Sequence, residues 1–199
     1  MIAITGATGL LGQHVIENLL QTVPAGQIVA IVRNPAKGAS LSRKGISVRQ
    51  ADYNDEASLI RALQGVEKLL LISSSEIGQR VTQHRNVINA AKSANVKFIA
   101  YTSLLHADTS PLGLHTEHVE TEKMLADSGM PFCAMAGIRK TIWPVYLLHL
   151  SMVSLLVRPE KAKSLSLPEL IMRRLPPVLS VKTGMRVRCM SLPEMRPGH

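Results

Sequence analysis

Three glycines, Gly6, Gly9 and Gly12, stand between an apolar start, Met1-Ile2-Ala3-Ile4, and a pattern that places Leu11, Val15, Leu19 and Leu20 on one helical face. The order is strand, tight turn, helix. Such a turn calls for residues that tolerate positive φ. It also leaves the backbone bare where a diphosphate must approach the amides at the helix N-terminus, whose dipole favours negative charge. The ligand this chemistry implies is a dinucleotide, held by Gly6, Ala7, Thr8, Gly9, Leu10, Leu11 and Gly12. A Gly-x-x-Gly-x-x-Gly run alone is a weak signal, because surface turns also collect glycines. Set between one strand and a helix that leads to a second strand, it becomes specific.

The second strand selects among cofactors. Ile28-Val29-Ala30-Ile31-Val32 is an unbroken apolar run, as expected of a strand buried on both faces of a parallel sheet, and it ends in Arg33-Asn34-Pro35. A sheet that selects NAD usually places Asp or Glu here to hold the ribose hydroxyls; a guanidinium suits a 2′-phosphate instead. The cofactor expected is therefore NADPH, with Lys37 as a possible assistant. The alternatives are a solvated arginine at a strand end and a solvated lysine on a turn.

The elements that must position these residues alternate along the first 131 positions. A helix is expected over Ala36 to Lys44, a third strand over Ile46 to Arg49, a helix over Asp55 to Leu63 and a fourth strand over Lys68 to Ile72. A helix over Arg80 to Ser93, a fifth strand over Lys97 to Thr102 and a helix over Glu117 to Ser128 follow, the last closed by Gly129 and Pro131. Right-handed crossovers then give an α/β, doubly wound parallel sheet of the Rossmann type with strand order 3-2-1-4-5. Ligands of such sheets lie outside the carboxyl ends of the strands, which here carry Arg33, Asp52-Tyr53, Ser73-Ser74-Ser75 and Thr102-Ser103. Asp52, Ser73, Ser74, Ser75 and Ser103 join the cofactor-binding candidates, since small hydroxylated residues suit close approach to a nicotinamide ribose. Serine is also simply common in loops.

The net charge of +9 at first suggests an acidic partner. Its distribution argues otherwise. Residues 1–132 hold 12 Lys/Arg against 11 Asp/Glu, a net of +1, whereas residues 133–199 hold 11 against 3, a net of +8. From Cys133 onward there is no Asp, Asn, Gln or Phe, and six of the nine methionines fall there. No charged and apolar leader precedes the first strand, and the run Ile142 to Val157 is short for a bilayer, so a cytoplasmic protein with no membrane partner is expected. Cys133 and Cys189 fit a reducing compartment. No Cys/His cluster has metal-ligand spacing.

The motifs Thr5-Gly-Ala-Thr-Gly-Leu-Leu-Gly12, Val32-Arg-Asn-Pro35, Gln50-Ala-Asp-Tyr53, Leu71-Ile-Ser-Ser-Ser75 and Tyr101-Thr-Ser103 resemble the atypical short-chain dehydrogenase/reductase proteins of the NmrA-like group. The resemblance spans about residues 1–131, which would form the nucleotide-binding domain. It implies hydride transfer from NADPH to a quinone. The same group includes non-catalytic NADP-binding redox sensors, which make the alternative. The usual catalytic Tyr-x-x-x-Lys is absent; His118 and Glu122 stand at i,i+4 on the last helix, where a solvated pair is the expectation and the catalytic residues stay unknown. A quinone is a good hydride acceptor, and placement over the nicotinamide can supply much of the catalysis.

After Pro131 the resemblance stops, and a shifted reading frame can explain it; the alternative is a natural basic, methionine-rich extension. When the third base of each codon is read with the first two of the next, Phe132 to Pro144 permits Leu-Arg-Asn-Gly-Trp-Tyr-Ser-Glu-Asn-Tyr-Leu-Ala, which is similar to the segment the family carries after its fifth strand. Two steps admit no choice, because Met and Trp have one codon each: Met135-Ala136 must give Gly and Trp143-Pro144 must give Ala. Residues 132–199 are thus expected to be an out-of-frame tail, largely irregular, with a helix conceivable over Val145 to Leu156. Its basic charge, cysteines and apolar run then follow from codon composition, so no nucleic-acid partner is inferred. The fifth strand would be left as an open edge.

Overall fold

The computed structural model describes residues 1–104, 113–136, 156–157 and 186–190. Strands β1 (Ile2–Ile4), β2 (Ile28–Val32), β3 (Ser47–Gln50), β4 (Lys68–Leu71), β5 (Phe98–Ser103) and β6 (Phe132–Ala136) form a parallel sheet, and β7 (Arg186–Met190) adds an antiparallel strand. The order is β3-β2-β1-β4-β5-β6-β7. The expected order is present and extends beyond β5.

Helices α1 (Leu10–Leu19), α2 (Ala39–Arg43), α3 (Glu56–Ala62), α4 (Arg80–Ser93) and α5 (His115–Asp127) connect the strands. The helix expected over positions 36–44 is split, because Pro35 opens a 3-10 turn through Gly38, with the Asn34 side chain accepting from the Ala36 amide at 2.9 Å. Asp55 caps α3 by accepting from the Ser58 amide at 3.1 Å. Gly129, at φ +73, follows α5 as the sequence suggests.

Alternation along each strand divides the core in two. Ile2, Ile4, Ile28, Ala30 and Val32 face Val15, Ile16 and Leu19 of α1, while Ala3, Val29 and Ile31 belong to the layer covered by Leu59 of α3, Val87 and Ala91 of α4 and Leu125 of α5. Both faces are buried, which is why these strands are continuously apolar.

Two expectations change at the C-terminal side. Strand β5 is not an edge: Ile99 to Ser103 pair in register with Phe132 to Ala136. Cys133, opposite Cys189 in the β6–β7 ladder, is disulfide-bonded rather than a free thiol. The described tail residues lie in β6, β7 and a helical pair at 156–157, of which Leu156 is fully buried in the layer with α1; the expectation of a largely irregular tail falls mostly outside the described residues. Lys68 Nζ donates to the Val157 carbonyl at 3.2 Å. The remainder of the run Ile142 to Val157, and of the helix considered over Val145 to Leu156, lies outside the described residues.

Leu156→Ala removes a fully buried side chain and is expected to lower the unfolding free energy by about 2–4 kcal/mol. Urea denaturation measures it; an unchanged midpoint would show that Leu156 does not pack against the sheet.

Candidate functional site

The turn between β1 and α1 is built by backbone geometry. Gly6 sits at φ +59, where a side chain is strained, and its carbonyl accepts from the Gly9 amide at 2.9 Å. Gly9 itself has an ordinary φ of −75. Gly12 is needed for another reason: a Cβ there would overlap the Gly6 carbonyl oxygen and lie 2.8 Å from the Ala7 Cα. Only one of the three glycines therefore uses positive φ, while the third permits helix and turn to touch. Among the described residues no side chain caps α1, and its first turn holds no acidic residue, so the dipole at this end of the helix is not offset by a carboxylate. Gly9 and Leu10 are exposed, Thr8 and Leu11 half-buried, and Ala7 buried.

At the end of β2, Arg33 is exposed and its Nη1 donates to Glu76 Oε1 at 2.9 Å. A cleft beside the turn is lined by Thr8, Gln13, Glu17, Lys37, Ser40, Leu41 and Lys44, which places Lys37 near the turn together with a carboxylate. Asp52 is engaged locally, accepting from the Asn54 amide at 2.8 Å while its own amide donates to Ser58 Oγ at 3.1 Å. Thr5 stitches β1 to β4 by donating to the Leu70 carbonyl at 3.1 Å and accepting from the Ile72 amide at 2.9 Å.

The three serines after β4 divide by role. The Ser73 amide donates to Thr102 Oγ1 at 2.7 Å, Ser75 is exposed, and Ser74 is buried within a polar network. Ser74 donates through its hydroxyl to Gln83 and through its amide to His84 Nε2 at 3.0 Å, and its carbonyl accepts from Arg80 Nε at 2.7 Å. An amide can only donate, so His84 Nε2 is bare. The proton is on Nδ1, 3.0 Å from Thr121 Oγ1. Arg80 also pairs with Glu117 at 2.5 Å, and Glu117 Oε1 accepts from the Gly78 amide at 2.8 Å.

A second pair of rungs links β5 to α5. Tyr101 and Ser103 share one strand face, and His118 and Glu122 are one helical turn apart. The Tyr101 hydroxyl lies 2.6 Å from His118 Nδ1, and Ser103 donates to Glu122 Oε1. His118 and Glu122 are therefore not a solvated pair: His118 is buried. Burial, reinforced by Arg80, lowers the His118 pKa to about 4 and the His84 pKa to about 3; burial raises that of Tyr101. A neutral phenol beside a neutral imidazole fits donation from Tyr101 to His118 Nδ1.

Sequence reasoning missed Glu76, Arg80, Gln83, His84, Glu117 and Thr121. Positions 80, 83, 84 and 87 do share one face of α4, which is the only sequence sign of a buried polar stripe. Among the described residues no group of His, Cys, Asp and Glu could hold a metal, and no helix is long and apolar enough to cross a membrane.

A parallel sheet whose first strand runs through a glycine turn into an uncapped helix defines a dinucleotide-binding α/β protein. The chain belongs to the NAD(P)H-binding family, whose model matches residues 6–132. It is 78% identical over 132 residues to quinone oxidoreductase 2 of Escherichia coli, covering 66% of this chain and 46% of that protein. An NmrA-like family domain-containing oxidoreductase of Aspergillus flavus is 37% identical over 164 residues, covering 78% of this chain and 53% of its own length. Among solved structures, the E. coli NADPH-dependent quinone oxidoreductase complexed with NADPH superposes with a TM-score of 0.65 at 78% identity, over 66% of this chain and 47% of that one. The Citrobacter triphenylmethane reductase complexed with NADP(H) gives 0.65 at 46% identity with the same coverage. The chain thus spans about half the length of these relatives.

His84 and His118 both protonate more readily in the unfolded chain, near 6.5, than in the folded one. Between that value and about 4 the unfolded chain binds protons that the folded chain refuses, so stability is level above pH 6.5 and falls as pH drops toward 4. Replacing His118 by Gln should flatten this decline, by roughly 1–3 kcal/mol at the acid end. Urea midpoints from pH 7 to pH 4.5 test it; parallel profiles would mean His118 titrates alike in both states.

Proposed function

We propose that this chain carries the cofactor-binding half of an NADPH-dependent oxidoreductase whose hydride acceptor is a quinone. The observation that carries this reading is Arg33 at the end of β2, beside a glycine turn whose helix has no side-chain cap among the described residues. When bound, NADPH supplies a hydride. The residues of the chain do the holding: the amides after Gly6 and Gly9 take the diphosphate, Arg33 pairs with the 2′-phosphate, and Lys37 adds a second cation. Ser73, Ser74, Ser75 and Ser103 border the place where the nicotinamide ribose would lie. The network behind Ser74 keeps that border fixed.

The region 132–199 is, in this reading, a tail translated out of frame, with residues 1–131 as the functional domain. The family match ends at residue 132, where charge and composition change, and that coincidence supports it. Sequencing the gene across codons 128–138 checks it. The second reading is an NADP-binding sensor without turnover, since the glycine turn and Arg33 would serve binding in either case. Quinone-dependent NADPH oxidation by the frame-repaired protein separates the two: turnover supports the enzyme, and binding without turnover supports the sensor.

Arg33→Glu should weaken NADPH binding by about tenfold or more through loss of a charge-assisted contact and addition of a carboxylate, while NADH suffers far less. Fluorescence titration of both cofactors measures this. Equal losses would make Arg33 structural.

A further inference from the structure

We propose that Glu76 sets cofactor selectivity by competing with the 2′-phosphate for Arg33; the proposal rests on the reading of Arg33 given above. Strands β2 and β4 flank β1, so the bond between Arg33, after β2, and Glu76, after β4, crosses the end of β1 from which the glycine turn departs. That is the line a dinucleotide follows across the sheet, with adenosine at β2 and diphosphate at β1. Ligand and ion pair thus meet at one guanidinium.

Glu76 is anchored independently of Arg33. Its Oε2 accepts from Nε2 of the buried Gln83 at 2.7 Å, and its amide donates to Ser74 Oγ at 3.1 Å. Among the described residues Arg33 has no comparable anchor for its head group, and its side chain is 68% exposed, against 40% for Glu76. When the guanidinium turns to a phosphate, the carboxylate stays where Gln83 holds it. Two penalties then fall on a 2′-phosphorylated ligand: the ion pair is broken, and a dianion is brought beside a fixed negative charge. A ligand with a free 2′-hydroxyl meets neither. An exposed pair is weakly held in water, so the doubly charged phosphate still prevails, but by less than Arg33 alone would allow.

Two adenosine fragments that differ only in the 2′-phosphate, 2′,5′-ADP and 5′-AMP, isolate the effect by titration of the 199-residue chain. Glu76→Gln keeps an oxygen for Gln83 and removes the charge. It should bind 2′,5′-ADP roughly two- to fivefold more tightly, leave 5′-AMP unchanged, and lose most of this advantage at about 0.5 M salt. Unchanged 5′-AMP affinity also shows that the turn is folded. Arg33→Ala should abolish the preference for 2′,5′-ADP whether position 76 is Glu or Gln. If Arg33→Ala abolishes the preference but Glu76→Gln leaves 2′,5′-ADP binding unchanged or weaker, the competition is overturned while the cofactor reading stands. If Arg33→Ala leaves the preference intact, both fall.

Discussion

The contact on which the rest depends is between Gly12 and the backbone of Gly6 and Ala7. It seats the first turn of α1 directly on the end of β1, closer than any Cβ would permit. Because α1 rests there, Val15, Ile16 and Leu19 reach the sheet face formed by Ile4, Ala30 and Val32, and the layer closes. The same seating aims the uncapped amides of α1 out over the strand ends. Packing and ligand chemistry are here one constraint, so a side chain at position 12 would disturb both.

The opposite rim of the cleft is held differently. The segment from Ser73 to Gln79 joins β4 to α4 without regular structure of its own, and side chains from α4 and α5 take up its backbone groups. Arg80 and His84 hold the two polar ends of Ser74, and Glu117 holds the Gly78 amide. Each of these side chains is itself compensated, Arg80 by Glu117 and His84 by Thr121. Burial keeps His84 neutral, which leaves its Nε2 able to accept from an amide; a protonated ring would lose that role and place a second cation beside Arg80. Removing one member leaves a buried polar group without its partner, which costs more than the bond itself contributes.

What was legible in the sequence follows from this contrast. The strands and the glycine turn are local signals: apolar runs of four to six residues and glycines at fixed offsets. The polar network is not local. Arg33 and Glu76 are 43 residues apart and Arg80 and Glu117 are 37 apart, and nothing in the spacing of charged residues announces that they meet in the folded protein. His118 and Glu122 show the difficulty well. At i,i+4 on a polar helix they read as a solvated pair, and only the placement of α5 against β5 turns them toward Tyr101 and Ser103. Periodicity weighs residues by hydrophobicity, so it passes over a helix face such as that of α4, which buries Arg80, Gln83 and His84 beside Val87.

The sheet edge was misjudged for an instructive reason. A parallel ladder is made by backbone amides and carbonyls, and it asks of the incoming strand only an extended stretch free of proline with side chains that tolerate burial. Phe132-Cys133-Ala134-Met135-Ala136 meets that requirement whatever the origin of its codons, and pairs with β5 over five positions. A cofactor or substrate site asks for more, because it needs particular donors at particular distances. A strand can therefore complete a sheet without completing an active site. The edge of β5 is covered by a strand that begins where the match to the family model ends.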